Sequence, residues 1–125
     1  MAGLKPEGEP MSIRNPLSEL IERHCTTIKQ IFAEFRALYV ARTLGEPPGT
    51  EAMTCLHTLK GSCGTIGFED LYRKVATLHQ KLKAWPEDTV ARNGYEREMA
   101  REVAETAVEV DHVRAEDSTL YGKIF

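Results

Sequence analysis

The chain has 125 residues, with 16 basic and 19 acidic side chains and a formal net charge of -3 at pH 7. A chain of this length folds as one domain that buries roughly two-thirds of its unfolded surface, so neither disulfides nor a metal are needed for a core. Charges of both signs are interspersed, which leaves no strongly basic surface. Nucleic-acid binding is therefore disfavoured.

The length of the apolar segments and the number of cysteines indicate the cellular compartment of the protein. No apolar segment approaches the roughly 18 residues that span a bilayer, and residues 1–10 lack the apolar centre of a signal peptide. The three cysteines are an odd number, and Cys55 and Cys63 share one half of a predicted helix. This pattern disfavours a disulfide framework and favours a reducing compartment. We expect a soluble cytoplasmic protein without membrane association.

The first predicted helix follows a segment without apolar periodicity. Residues 1–12 contain glycine and proline and are predicted to form a mobile tail. Asn15 and Pro16 suit the N-cap and first position of a helix that should run to about Thr43, because apolar side chains recur there every three or four residues. The GEPPG segment at 45–49 ends this helix.

Three further helices are predicted. The second should start after Thr50 as N-cap and end at Gly67, which lacks a Cβ and can adopt the left-handed conformation. The third should occupy 69–84. The fourth is predicted from 95 to 114, because Asn and Gly at 93–94 are poor helix residues.

The predicted fold is all-α, an antiparallel (up-down) four-helix bundle, because short connections make consecutive helices antiparallel. No segment shows sustained strand alternation. We place the bundle at residues 13–115, between the tail at 1–12 and a C-terminal tail at 116–125. The last eight residues, STLYGKIF, carry four apolar side chains, and they either pack on the bundle or stay loose.

The segment 56–67, LHTLKGSCGTIG, places a histidine on the polar half of the second helix. At about 100° per residue, apolar and small side chains gather on one half, namely Ala52, Cys55, Leu56, Leu59, Ser62, Cys63 and Ile66. The opposite half carries Met53, Thr54, His57, Lys60, Gly61 and Gly64. The His57 imidazole is therefore predicted to point to solvent, with Lys60 one turn along.

This segment closely resembles the signature of the histidine-containing phosphotransfer (HPt) domain, and the resemblance continues weakly for about one further helix. His57, Leu59, Lys60, Gly61 and Gly67 occupy the signature positions. The resemblance implies that His57 accepts a phosphoryl group from an aspartate of a response-regulator receiver domain, for example in a hybrid histidine kinase. It further implies that the group then passes to another receiver aspartate.

The residue types suit this implied chemistry. A histidine side chain ordinarily titrates near pH 6.5, so an exposed imidazole at His57 can attack phosphorus through a ring nitrogen, by family analogy Nε2. The Lys60 charge can stabilise the transferring group. Glycine inside a helix costs about 1 kcal/mol relative to alanine, and Gly61 and Gly64 are interpreted as clearance for a partner's active-site edge.

Four further residues are candidates for support or docking. Met53 would offer a flexible apolar contact in a docking surface on the His57 face, and Thr54 would lie at the rim of that surface. Across the hairpin, His79 is predicted to lie level with His57, at a position where the family often has glutamine. Lys83 follows one turn later and would add positive charge.

Two other functional classes stay open: a non-catalytic helical adaptor and a metal-binding bundle. The candidate metal ligands would be Cys55, His57, Cys63 and His79. The two cysteines face away from His57, and no zinc-type paired spacing occurs. His24 and His112 are interpreted as solvated surface residues.

No nucleotide-binding motif is present, neither a GxxxxGK[ST] loop nor a kinase motif. We therefore expect a monomeric phosphotransfer protein that is not an enzyme with its own ATP site and that needs no cofactor or metal. Its partners would be receiver domains and a hybrid histidine kinase, and any Mg²⁺ would belong to the receiver.

Overall fold

The computed structural model describes residues 16–121, which are helical throughout most of their length. The elements are α1 at Pro16–Ala41, α2 at Thr50–Ile66, α3 at Glu69–Lys83, α4 at Thr89–Asp111 and a 3₁₀ helix at Ala115–Asp117. Each helix packs against the next, and α4 packs back on α1. The predicted antiparallel four-helix bundle is thus confirmed, whereas the predicted cap Asn15 and the tail at 1–12 lie outside the described residues.

The start of α4 differs from the prediction. The helix begins at Thr89 and not near Tyr95, because the Asp88 carboxylate caps it by accepting a hydrogen bond of 2.9 Å from the Ala91 N–H. This cap offsets the unfavourable helix propensity of residues 93–94. The helix also ends earlier than predicted, at 111.

The start of α2 differs by one position. Thr50 is the first helical residue and does not act as the cap. The preceding residue, Gly49, has extended backbone, and its carbonyl accepts a hydrogen bond of 3.1 Å from the Met53 N–H. The helix therefore begins without a side-chain cap.

The core is filled by the inward half of every helix. Its largest fully buried side chains are Phe35, Phe68, Ile21, Ile28, Leu56, Leu59, Leu78 and Met99. From α2 the buried residues are Ala52, Leu56, Leu59, Cys63 and Ile66. These belong to the half that was predicted to face inward. Their burial sets the rotation of α2 about its axis, so the opposite half faces solvent.

One end of the bundle is closed by an ion pair between Arg42 and Glu96. The guanidinium donates two hydrogen bonds to the carboxylate, of 2.9 and 2.7 Å, and the Gly45 N–H donates a third, of 2.9 Å. The Trp85 indole N–H donates to the Gly45 carbonyl, and Arg42 stacks 3.8 Å over the Tyr39 ring. The pair therefore ties the α1–α2 loop to α4.

The opposite end is closed by the turn at Gly67, which ends α2 in the left-handed conformation, φ 86°, as predicted. The Gly67 carbonyl accepts a hydrogen bond of 2.9 Å from the Thr119 N–H, and the Ser118 hydroxyl donates to the Ile66 carbonyl. The C-terminal segment was predicted either to pack on the bundle or to stay loose, and its residues 118–121 pack on the bundle.

We expect Gly67→Ala to lower the free energy of unfolding by about 2 kcal/mol or more. A left-handed residue with a Cβ costs about 1–2 kcal/mol, and a Cβ at Gly67 would also collide with the Thr119 hydroxyl. Gly45→Ala is a matched control, because Gly45 has the same φ of 86° but nothing within 4 Å of its Cβ position. Equal losses in urea denaturation would contradict the packing of Thr119 on the turn.

Candidate functional site

The His57 side chain is exposed on the solvent-facing half of α2. The ring of His79, on α3, has its centroid 6.1 Å from that of His57, with an angle of 47° between the ring planes. His79 is only 8% exposed. The reversal at Gly67 therefore brings the two histidines to the same level, as predicted.

Two ammonium groups lie beside this histidine pair. Lys60 is half-buried and follows His57 by one turn, while Lys83 is exposed and follows His79 by one turn. Among residues 16–121, neither lysine forms an ion pair with a carboxylate. Their positive charge is therefore not neutralised locally, which favours a bound anion.

The pKa of His79 reflects this surrounding charge. Burial lowers the pKa of the His79 imidazole, and the positive charges of Lys60, Lys83 and His57 lower it further. The neutral form of His79 is therefore favoured when no anion is present.

The prediction for His24 is wrong. Its side chain is half-buried, and its Nδ1 lies 3.0 Å from the Ser62 hydroxyl oxygen, because the inward position of Ser62 on α2 faces α1. His112 is exposed, as predicted.

The His57 ring makes no hydrogen bond to another residue in the range 16–121. Both of its nitrogens are thus unpartnered within that range.

The two glycines on this face differ in what surrounds them. A Cβ at Gly61 would meet nothing within 4 Å, so the space above this position is open. A Cβ at Gly64 would lie 3.2 Å from two ring atoms of Tyr72 on α3, so Gly64 also lets that ring lie against α2. The sequence interpretation missed Tyr72. The sequence could have identified Tyr72 by its spacing. Tyr72 precedes His79 by seven residues and Gly64 follows His57 by seven, which pairs Tyr72 with Gly64 across the antiparallel helices.

Two surface grooves contain the predicted docking residues. One lies between α1 and α2, and its walls include Ile31, Glu34, Leu38, Thr54, Cys55 and Thr58. The other is lined by Pro47, Pro48, Met53, Leu82, Lys83, Trp85, Glu87 and Arg92. Thr54 is exposed, whereas Met53 is half-buried and packs partly on the core. The two predicted docking residues thus lie in separate grooves.

The cysteines do not join the His57 site. Cys25, Cys55 and Cys63 are unpaired thiols. Burial raises the pKa of Cys63 to about 12, and burial also raises the pKa of Cys55, with Glu34 adding to it. No group of three or more His, Cys, Asp or Glu side chains in the described part of the chain could hold a metal ion.

A protein-family model described as "Hpt domain" matches residues 19–116. The chain therefore belongs to the Hpt domain family, which confirms the resemblance seen in the signature segment. Membership implies a phosphotransfer role in two-component phosphorelays, with receiver and kinase partners and no ATP site in the module itself. Comparisons with curated proteins and with solved structures gave no match. No helix within residues 16–121 is long and apolar enough to cross a membrane.

Proposed function

We propose that His57 is the phosphoryl acceptor of this Hpt domain, taking the group from a receiver-domain aspartate and passing it to another. The observation that carries the proposal is the position of an exposed imidazole beside Lys60, an ammonium group without a carboxylate partner among the described residues. Open space above Gly61 adds access for a partner.

The proposed step is a direct displacement at phosphorus. A neutral His57 attacks through Nε2, the N–P bond forms, and the P–O bond of the acyl phosphate breaks to release the aspartate carboxylate of the receiver. Lys60 and Lys83 stabilise the negative charge on the phosphoryl oxygens. The same displacement by a second receiver aspartate removes the group, and any Mg²⁺ is supplied by the receiver.

The proposed docking surface extends from His57 along α2 and onto α3. Gly61 allows the partner's backbone to approach α2, and the half-exposed Tyr72 ring extends the surface onto α3. Tyrosine side chains are enriched in protein interfaces because they combine a large apolar area with a polar hydroxyl group. Met53 and Thr54 lie at its other edges, in the two grooves.

A transfer assay tests the proposal. The chain is mixed with a panel of phosphorylated receiver domains, and the labelled product is digested and mapped by mass spectrometry. We expect an acid-labile, alkali-stable label on the peptide that contains His57. Label confined to His24 or His112 would contradict the assignment, and binding of receivers without any transfer would favour the adaptor alternative.

Lys60→Ala is expected to slow transfer to His57 by roughly tenfold. This is less than the ~10²–10³ cost of removing a buried oxyanion donor, because Lys60 is partly solvated. Lys74→Ala is the matched control, since Lys74 on α3 instead pairs with Glu105 on α4, at 3.1 Å. Quench-flow rates that fall equally in both variants would indicate a general charge effect and contradict the local role of Lys60.

Gly61→Leu is expected to weaken receiver docking while stabilising the fold. The Cβ position at Gly61 is open, so removing a helical glycine should gain about 0.5–1 kcal/mol of stability. The same side chain would block a partner, and we expect transfer to fall about tenfold or more, equivalent to ~1.4 kcal/mol of docking free energy.

Gly94→Leu provides the control for that variant. Gly94 is also inside a helix, with nothing within 4 Å of its Cβ position, but it lies on α4. We expect the same gain in thermal stability with unchanged receiver affinity. Unchanged affinity in Gly61→Leu would contradict the docking surface.

A further inference from the structure

We infer that His79 takes up a proton when His57 is phosphorylated and then donates a hydrogen bond to the phosphoryl group, so that the phosphorylation state of this domain responds to pH. The inference rests on the proposed role of His57 and adds a regulatory property to that site.

The geometry places His79 within reach of the group. The ring centroids of His57 and His79 are 6.1 Å apart, and a phosphoryl group on a ring nitrogen extends its oxygens beyond the edge of the His57 ring. His79 is 8% exposed, and its ring has no hydrogen-bond partner in the part of the chain that the structure describes. Its ring nitrogens are therefore available to the phosphoryl oxygens.

Before phosphorylation, the groups that act on His79 are cationic or able to become so. From α2 these are Lys60 and His57, and from α3 itself Lys83. Three carboxylates of α4 pair with other lysines of α3, Lys81 with Glu98 and Glu102 and Lys74 with Glu105. Burial and this positive charge lower the pKa of His79 and favour its neutral form.

Phosphorylation adds negative charge beside His79. A phosphoryl group carries a charge of about -1.5 to -2 near pH 7, and a negative charge this close favours the imidazolium form of His79. The N–P bond forms at His57 as the P–O bond of the receiver breaks, and one proton from solvent binds His79. Onward transfer to a second receiver returns that proton to solvent.

A glutamine at position 79 would behave differently. Its amide N–H can donate to the phosphoryl group at every pH, because it does not titrate in this range. The proton uptake is therefore a consequence of histidine at this position. His79→Gln should keep the hydrogen bond and lose the pH dependence.

The test uses phosphoramidate as a small-molecule phosphoryl donor, so that no receiver is needed. Full-length protein is phosphorylated, the site is verified by mass spectrometry, and the imidazole C–H signals are followed by NMR through a pH titration, with His79→Gln assigning the His79 signal. We expect the His79 midpoint to rise by about one pH unit or more on phosphorylation of His57. The His112 midpoint should stay unchanged, since His112 lies beyond the end of α4.

A second measurement follows the equilibrium of label between this protein and a receiver that exchanges with it. The ratio of label on this protein to label on the receiver should increase for wild type relative to His79→Gln as the pH falls, by up to about tenfold per pH unit for one linked proton. An unmoved His79 midpoint, or parallel pH profiles for the two proteins, would overturn this inference and leave His57 as the acceptor. A failure of His57 to accept phosphate from phosphoramidate and from receivers would overturn both proposals.

Discussion

Replacing His57 with glutamine should abolish phosphoryl acceptance and leave the bundle intact. A carboxamide cannot attack phosphorus, and loss of a nucleophile costs up to ~10⁶ in rate, so we expect label to fall by more than about a thousandfold. The ring of His57 is exposed and makes no hydrogen bond to another described residue. Its replacement should therefore change the free energy of unfolding by no more than about 0.5 kcal/mol.

The controls for His57→Gln are the same substitution at other histidines. His112→Gln replaces an exposed histidine at the end of α4 and should retain full labelling. His79→Gln should also be labelled at His57, because its role is to contact the phosphoryl group and not to accept it. If His57→Gln were labelled at a rate close to that of the wild type, another residue would be the acceptor and the proposed function would be contradicted.

Glu96→Ala should cause the largest loss of stability among the polar substitutions considered, about 3 kcal/mol, at the lower end of the range for breaking a buried ion pair. The Arg42 side chain is 9% exposed and would lose both hydrogen bonds from its guanidinium to Glu96. The Gly45 N–H would lose its acceptor too. Chemical denaturation measures the effect, and the midpoint of transfer activity against denaturant should shift in parallel.

A double-mutant cycle separates this pair from its surroundings. Arg42→Met combined with Glu96→Ala should cost less than the sum of the single changes, because no buried charge is left unpaired. Asp70→Ala is the matched control, since the Arg73–Asp70 pair on α3 is 67% and 90% exposed and should contribute less than about 0.5 kcal/mol. Additive losses at Arg42 and Glu96 would contradict the coupling.

The same pair predicts a pH dependence. The hydrogen bond from Arg42 holds the pKa of Glu96 below its usual range, with a further contribution from the Gly45 N–H. Because the folded pKa is below the unfolded one, the stabilisation is fully present above the ordinary glutamate range and is lost as the pH falls through the folded pKa. The stability difference between wild type and Glu96→Gln should therefore shrink on acidification. A constant difference would count against this linkage.

Local features of the sequence were sufficient for much of the fold and for the centre of the site. The apolar spacing of α2 identified which half is buried, and that alone placed His57 and Lys60 on the solvent side. Gly67 marked the turn because its conformation depends on the absence of its own Cβ. The start of α4 was missed although its signal was local, since the Asp88 cap outweighed the weak propensities that follow it.

Contacts between distant segments were decided by the tertiary structure alone. Periodicity tells which face of a helix is buried, but not how far each helix is shifted and rotated against its neighbour. Those shifts pair Arg42 with Glu96 and His24 with Ser62, and no local pattern specifies either pair. The environment of His79 has the same origin. Its position opposite His57 follows from counting along the hairpin, whereas its burial beside unpaired lysines depends on how α2 and α3 pack together.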